Sequence, residues 1–182
     1  MRIGEVRAAI NETEPLFRDA TAALFDLGAV RQSDAPGTRL PSANGFYGEE
    51  ICLQARYAGL SDNLRILAVT EVNPTLDNRS QTSHLAAQML WFFLEGFSQK
   101  QYEVSYLGDQ MNSRFTRYHV TLSDLDSEAI FIRSNITERW WIEIRDSKGD
   151  PHFLACSYED YLMANRDQLP ARWTRAMLRF SQ

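Results

Sequence analysis

Two carboxylates that close apolar runs are the side chains best placed to do chemistry. The run Leu64-Arg65-Ile66-Leu67-Ala68-Val69-Thr70 ends in Glu71 and is stopped by Asn73-Pro74. A second run, Ala20-Thr21-Ala22-Ala23-Leu24-Phe25, reaches Asp26 and then Leu27. Short apolar runs bounded by turn residues read as strands buried on both faces, the usual state of strands in a parallel sheet. In open α/β sheets, ligands sit just beyond the carboxyl ends of the strands. A carboxylate in that position prefers a cationic group. Two of them, from neighbouring parallel strands, share one rim and could seat a divalent metal or a cationic ligand. The plainer reading is that each acid begins a solvated loop, because strand ends are commonly polar.

Other reactive residue types carry less. His84, His119 and His152 lie far apart, with no second histidine or cysteine at ligand spacing, and read as structural or solvated. Cys52 and Cys156 have no histidine nearby in sequence, so nucleophilic thiol chemistry has no support. Gly45-Phe46-Tyr47-Gly48 lacks the lysine and glycine spacing of a phosphate-binding loop. Arg139-Trp140-Trp141 resembles a stacking platform for nucleic acid. On an alternating strand, however, one Trp faces inward and the other outward, so core packing plus a surface contact is the better reading. Trp173, near Pro170 and Arg172, reads as a packing anchor for the C-terminal tail.

The elements that must position the acids follow from periodicity. Ile3, Val6 and Ile10 share one face of a first helix that Pro15 should end, and nothing resembling an N-cap precedes it. After the strand at Ala20 comes a loop of turn-forming residues, Arg31 to Gly45. A helix spans Phe46 to Leu60, and the strand at Leu64 follows. A further helix spans Ser80 to Phe97, with Leu85, Met89, Phe92, Phe93 and Phe97 as its apolar stripe. This is a βαβα unit with parallel strands. Two strands make a poor sheet alone, and their edges call for a further partner.

Residues 98 to 114 read as a polar connection. Alternation then takes over in Phe115 to Leu122, Glu128 to Arg133 and Arg139 to Arg145, three successive antiparallel strands joined by short turns, the first at Ser123 to Ser127. His152 to Cys156 adds one more. A last helix opens at Ser157, with Asp160 completing a capping box, and runs to about Asn165. The division is an α/β domain at 1–98 and a β-rich extension at 99–182.

Composition bounds the function classes. The 182 residues are 44% hydrophobic and 24% charged, ordinary proportions for a globular chain of one domain with a small appendage. A formal net charge of −5 without a basic cluster argues against nucleic-acid binding. Two cysteines are too few for a disulfide framework, and no segment reads as a signal peptide or a membrane span. The expectation is a cytoplasmic protein with reduced thiols.

Against these residues, Thr70-Glu71-Val72-Asn73-Pro74 resembles the Glu-Val-Asn-Pro signature of the ureohydrolases: arginase, agmatinase and formimidoylglutamase. Phe25-Asp26-Leu27, followed by Asn44-Gly45-Phe46-Tyr47-Gly48-Glu49-Glu50, is similar to the family's Ser-Phe-Asp-x-Asp strand, its loop and the next helix. The likeness covers roughly residues 20 to 97. The stretches Arg139-Trp140-Trp141, Cys156 to Tyr161 and Pro170 to Trp173 are similar to an extension on bacterial formimidoylglutamase-like members.

The resemblance implies the fold: a C-terminal βαβα part of an arginase-like three-layer parallel sheet, followed by a small antiparallel β-rich extension and a C-terminal helix. It also implies a two-manganese site at the strand ends, where a metal-bridging hydroxide attacks an amidine or guanidinium carbon. Asp26 then matches the first aspartate of the metal-binding pair, and Glu71 the glutamate that receives the substrate's cationic group. The pattern departs at Gly28, which replaces the second aspartate, and nothing in residues 1 to 25 supplies the family's upstream ligands. The expectation is the C-terminal portion of a hydrolase of linear amidines, inactive alone, that self-associates or lacks an N-terminal segment. The alternative is a non-catalytic binding or oligomerisation module of the same descent, and a third reading is an unrelated small α/β protein.

Overall fold

Pro15 opens a helix rather than closing one. The computed structural model describes residues 2–109, 112–122, 127–168 and 170–180. Its first segment is broken into α1 (Ile3–Ala8), a 3-10 turn (Ile10–Thr13) and α2 (Glu14–Arg18), with Pro15 in the first turn of α2. The single helix expected up to Pro15 is therefore corrected. First-turn amides have no intrahelical acceptor, so a residue without an N–H fits there. The start of α1 is also capped from within, because Arg2 N–H donates to Glu5 Oε2 at 2.8 Å.

The chain divides into two compact units, Met1–Lys100 and Gln101–Gln182. In the first, β1 (Ala22–Asp26) pairs in parallel with β2 (Ile66–Thr70), Ala22 opposite Ile66 and Asp26 opposite Thr70. Between and after them run α3 (Gly48–Leu60) and α4 (Gln81–Ser98). Ala23 and Phe25 from β1 meet Ile51, Cys52, Ala55 and Ala58 from α3 and Leu85 and Met89 from α4 in one core. The two helices touch backbone to backbone. A Cβ on Gly59 would lie 2.1 Å from the Phe93 carbonyl oxygen, and one on Gly96 would lie 2.3 Å from that of Arg56.

Burial on both faces of these strands does not hold. Leu24 is 69% exposed and Ile66 61%, because the helices that complete the core meet β1 on the side of Ala23 and Phe25. The stripe of α4 is likewise narrower than its sequence implies. Leu85 and Met89 are buried and Phe93 half-buried, while Phe92 and Phe97 stay exposed with Leu90, Trp91 and Leu94. Gly96 takes a buried place at the helix contact, and bulky residues to either side of it turn outward.

In the second unit, β3 (Phe115–Leu122), β4 (Ser127–Ser134), β5 (Trp140–Arg145) and β6 (Pro151–Cys156) form an antiparallel meander in that order. The turn expected at Ser123 to Ser127 falls mainly at 123–126, outside the described residues. Val120, Phe131, Trp140 and Ile142 form a core on one face with Ala164, Trp173 and Ala176 of α5 (Tyr158–Ala164) and α6 (Ala171–Phe180). Ile132, Trp141 and Ala155 form a second core with Leu107. Both tryptophans are therefore buried, and the expected outward-facing Trp is corrected. Alternation does send them to opposite faces, but each face has its own cover.

The C-terminal tail is likewise a helix, α6, with Pro170 just before its first residue and Trp173 on its buried side. The connection read as merely polar contains a 3-10 turn (Glu103–Tyr106) and the fully buried Leu107. Buried Glu103 accepts hydrogen bonds from the hydroxyls of Ser134 and Thr137, the latter at 2.7 Å, which joins that connection to the end of β4. Among the described residues, no helix is long and apolar enough to cross a membrane.

Candidate functional site

The parallel register brings the two acids to one rim. Asp26 is the last residue of β1 and lies opposite Thr70, so Glu71 follows one step beyond the pair. Both are exposed. The Asp26 side chain turns back on its own chain, its Oδ1 accepting from Gly28 N–H at 2.8 Å as a 3-10 turn begins. Glu71 has φ 61°, left-handed for a residue with a Cβ. Such a backbone costs on the order of 1–3 kcal/mol and is retained where the surroundings fix it, often at functional sites.

The surroundings of Glu71 are a loop that sequence reading treated only as turn-rich. Arg39 N–H donates to Glu71 Oε2 at 3.0 Å. Asn73 N–H donates to the Gly37 carbonyl at 2.9 Å, and Gly37 N–H donates to Thr82 Oγ1 at 2.7 Å. Gly37 has to be glycine, since a Cβ there would sit 2.6 Å from that of Asp77. The β1–α3 loop is thus stitched to the segment after β2 and to the start of α4. Thr38, inside this seam, is buried, and its hydroxyl has no hydrogen-bond partner among the described residues. Thr38 and Arg39 are the site residues that periodicity missed. The only local signal is the Ala35-Pro36-Gly37 turn that precedes them.

Asp77 anchors the other side of the seam. Its carboxylate accepts from Thr82 N–H and Ser83 N–H, both at 2.8 Å, and from the Ser83 hydroxyl at 2.7 Å. Desolvation pushes its pKa up, but the hydrogen bonds from Ser83 and Thr82 outweigh it and hold the carboxyl down at about 2. An ionised acid over the first turn of α4 also suits the helix dipole.

A hollow of about 650 Å³ opens beside the start of α3, but neither Asp26 nor Glu71 lines it. Two of its charges are paired with each other. Arg31 pairs with Asp34 at 2.9 Å, and Asp34 accepts Gly48 N–H at 2.8 Å. Burial raises the Asp34 pKa, while Arg31, Gly48 and Ser33 lower it further than that, leaving it below its ordinary value. The Tyr47 ring lies 4.2 Å from the Arg7 guanidinium carbon and 4.1 Å from that of Arg31.

His119 lies 3.1 Å from Glu128 and His152 3.1 Å from Asp146, while exposed His84 borders the hollow. Both cysteines are buried, and burial pushes the Cys52 thiol up to about 11, an unreactive state. Among the described residues, no group of three or more His, Cys, Asp or Glu is placed to hold a metal ion. The donor set at the rim therefore does not fit two manganese ions. Gly28 offers no ligand, and Asp26 is turned toward the backbone of Gly28.

A parallel strand pair with acids at its carboxyl rim, and a loop sewn over one of them, defines an α/β protein with a strand-end site. Residues 2–95, more than half of the 182, match the arginase family, and the chain belongs to that family. Formimidoylglutamase from Bacillus subtilis (strain 168) is 34% identical over 90 residues, which are 48% of this chain and 28% of that protein. A crystal structure of Trypanosoma cruzi formiminoglutamase with Mn2+ superposes with a TM-score of 0.50 at 27% identity. That match covers 55% of this chain and 36% of the other. The chain thus spans about a third of the length of these relatives.

Proposed function

We propose that this chain carries the amidine-recognising part of a formimidoylglutamase-like hydrolase, with Glu71 as the carboxylate that receives an amidine or guanidinium group. The observation that carries the reading is the placement of Glu71. It stands one residue past a parallel strand end, with a left-handed backbone, and Arg39 N–H holds one carboxylate oxygen. A planar cation carrying several N–H donors matches a carboxylate whose position is fixed in this way. In this reading Asp26, at the end of the neighbouring strand, corresponds to a family metal ligand. With Gly28 beside it, we infer that this polypeptide does not assemble a two-manganese centre.

Titration of the purified chain with formamidinium and guanidinium salts, with metal analysis of the same sample, tests the reading. Weak amidine binding that disappears in Glu71→Gln is expected, with no manganese-dependent release of formamide or urea. Two tightly bound manganese ions with turnover would overturn the inference of inactivity, and unchanged binding in Glu71→Gln would remove Glu71 from its role.

One observation favours the second reading, a binding or assembly module. Leu24 and Ile66 are exposed on the sheet, and Leu90, Trp91 and Leu94 on α4, more apolar surface than scattered singles. Such faces suit self-association or a further segment of chain. Sedimentation decides: a monomer across the accessible concentration range would remove the self-association part of that reading.

A further inference from the structure

The second unit contains a concavity of about 520 Å³ lined by Tyr118 of β3, Arg133 of β4, Glu138, Trp140 of β5, and Tyr158 and Tyr161 of α5. Its volume lies within the range of about 300–1,000 Å³ common to small-molecule sites, and its wall has their usual composition, aromatic with a few polar groups. The rings crowd together as neighbours. Trp140 stacks on Tyr161 with centroids 4.7 Å apart and planes at 23°. Tyr118 lies 5.1 Å from Trp140 at 34°, and Tyr158 lies 5.9 Å from Tyr161 at 25°. Tyr158 is the outermost ring and is more than half exposed. At the rim, Arg133 and Glu138 pair with each other, and Glu138 is held at φ 60°.

From this geometry we propose a binding site for a zwitterionic α-amino acid with an aromatic side chain. A box of mutually perpendicular rings would suit a rounded quaternary ammonium. Here Trp140, Tyr158 and Tyr161 are mutual neighbours within 39° of parallel, with Tyr118 inclined at 57° to Tyr161, and exposed Tyr158 offers a face on which another flat ring can stack. The polar rim has one charge of each sign. Arg133 and Glu138 balance each other, so a ligand with only one charge would add an unbalanced charge to this rim. A zwitterion satisfies both: the guanidinium fork takes the α-carboxylate, and the Glu138 carboxylate takes the α-ammonium. The backbone strain at Glu138 has a purpose in this arrangement, since it keeps the carboxylate beside Arg133 at the mouth of the concavity. The site lies wholly within the second unit and does not depend on the role given to Glu71.

Calorimetric titration of the full chain with L-phenylalanine tests the proposal. Saturable 1:1 binding is expected, weakened about tenfold or more by Tyr158→Ala, by Arg133→Gln and by Glu138→Gln. 3-Phenylpropionate and 2-phenylethylamine, each lacking one charge, should bind more weakly than the amino acid, as should L-leucine, which lacks the flat ring. Glu71→Gln should leave the titration unchanged. Tyr158 is exposed enough for its truncation to preserve the fold, which circular dichroism checks. The proposal fails if no saturable heat appears up to the solubility limit of L-phenylalanine. It fails equally if the Tyr158 and Arg133 variants bind as the parent does, or if 2-phenylethylamine matches the amino acid.

Discussion

The two units solve the same problem, hiding the apolar faces of a sheet, with opposite results. In residues 101–182 the four-stranded sheet is covered on both faces by nearby chain, α5 and α6 on one side and Leu107 with its neighbours on the other. In residues 1–100 the two-stranded sheet has a core on one face, while Leu24 and Ile66 look outward. The first arrangement is self-sufficient. The second leaves apolar surface and a strained acid at the same strand pair, and the recognition role proposed for Glu71 falls there rather than in the well-covered sheet.

Substitutions sharpen that contrast, beginning where the loss should be greatest. Trp141→Ala removes a fully buried indole from the second unit and should cost about 3–5 kcal/mol in denaturant unfolding. A loss below 1 kcal/mol would mean that this sheet is not doubly covered. Gly59→Ala drives a Cβ into the Phe93 carbonyl and must push α3 and α4 apart, at a cost of about 1–3 kcal/mol or more. Wild-type stability in that variant would show that the helices do not meet at Gly59.

Smaller effects come from the seam and from the open face. The folded-state pKa of Asp77, about 2, lies below its ordinary value near 4. Its contribution is therefore fully present above pH 4 and is lost as pH falls through about 2. Asp77→Asn should flatten the stability profile in that window, and thermal melts across it report the difference. Leu24→Thr on the open face should change monomer stability by no more than about 0.5 kcal/mol. If the face is an association surface, the same change should lower the sedimentation coefficient at high concentration.

Much of this architecture is legible from local pattern. The apolar runs ending at Asp26 and Glu71 announce strands and rim acids, and alternation announces the meander, because side-chain period follows directly from backbone geometry. Ser157 and Asp160 announce the start of α5 through hydrogen bonds that close within one turn. Other features were hidden. Helix α6 carries several charges in a short stretch, and its apolar residues read as a tail anchor. Pro15 reads equally as a helix stop or as a first-turn residue, and only the fold distinguishes the two. The seam at Gly37, Thr38 and Arg39 shows in sequence only as a turn, since its partners lie some 30 to 45 residues away.

The sequence by itself determined the strand-end position of Asp26 and Glu71, the glycine at 28 and the family signature around Asn73-Pro74. These are properties of residue identity and short-range spacing. Only the tertiary structure decided which sheet faces are covered, that Trp140 and Trp141 are both interior, and that an amide from a distant loop fixes one oxygen of Glu71. Burial and long-range hydrogen bonds depend on which elements arrive at a surface, and a strand carries the same alternation whether or not a second layer comes to meet it.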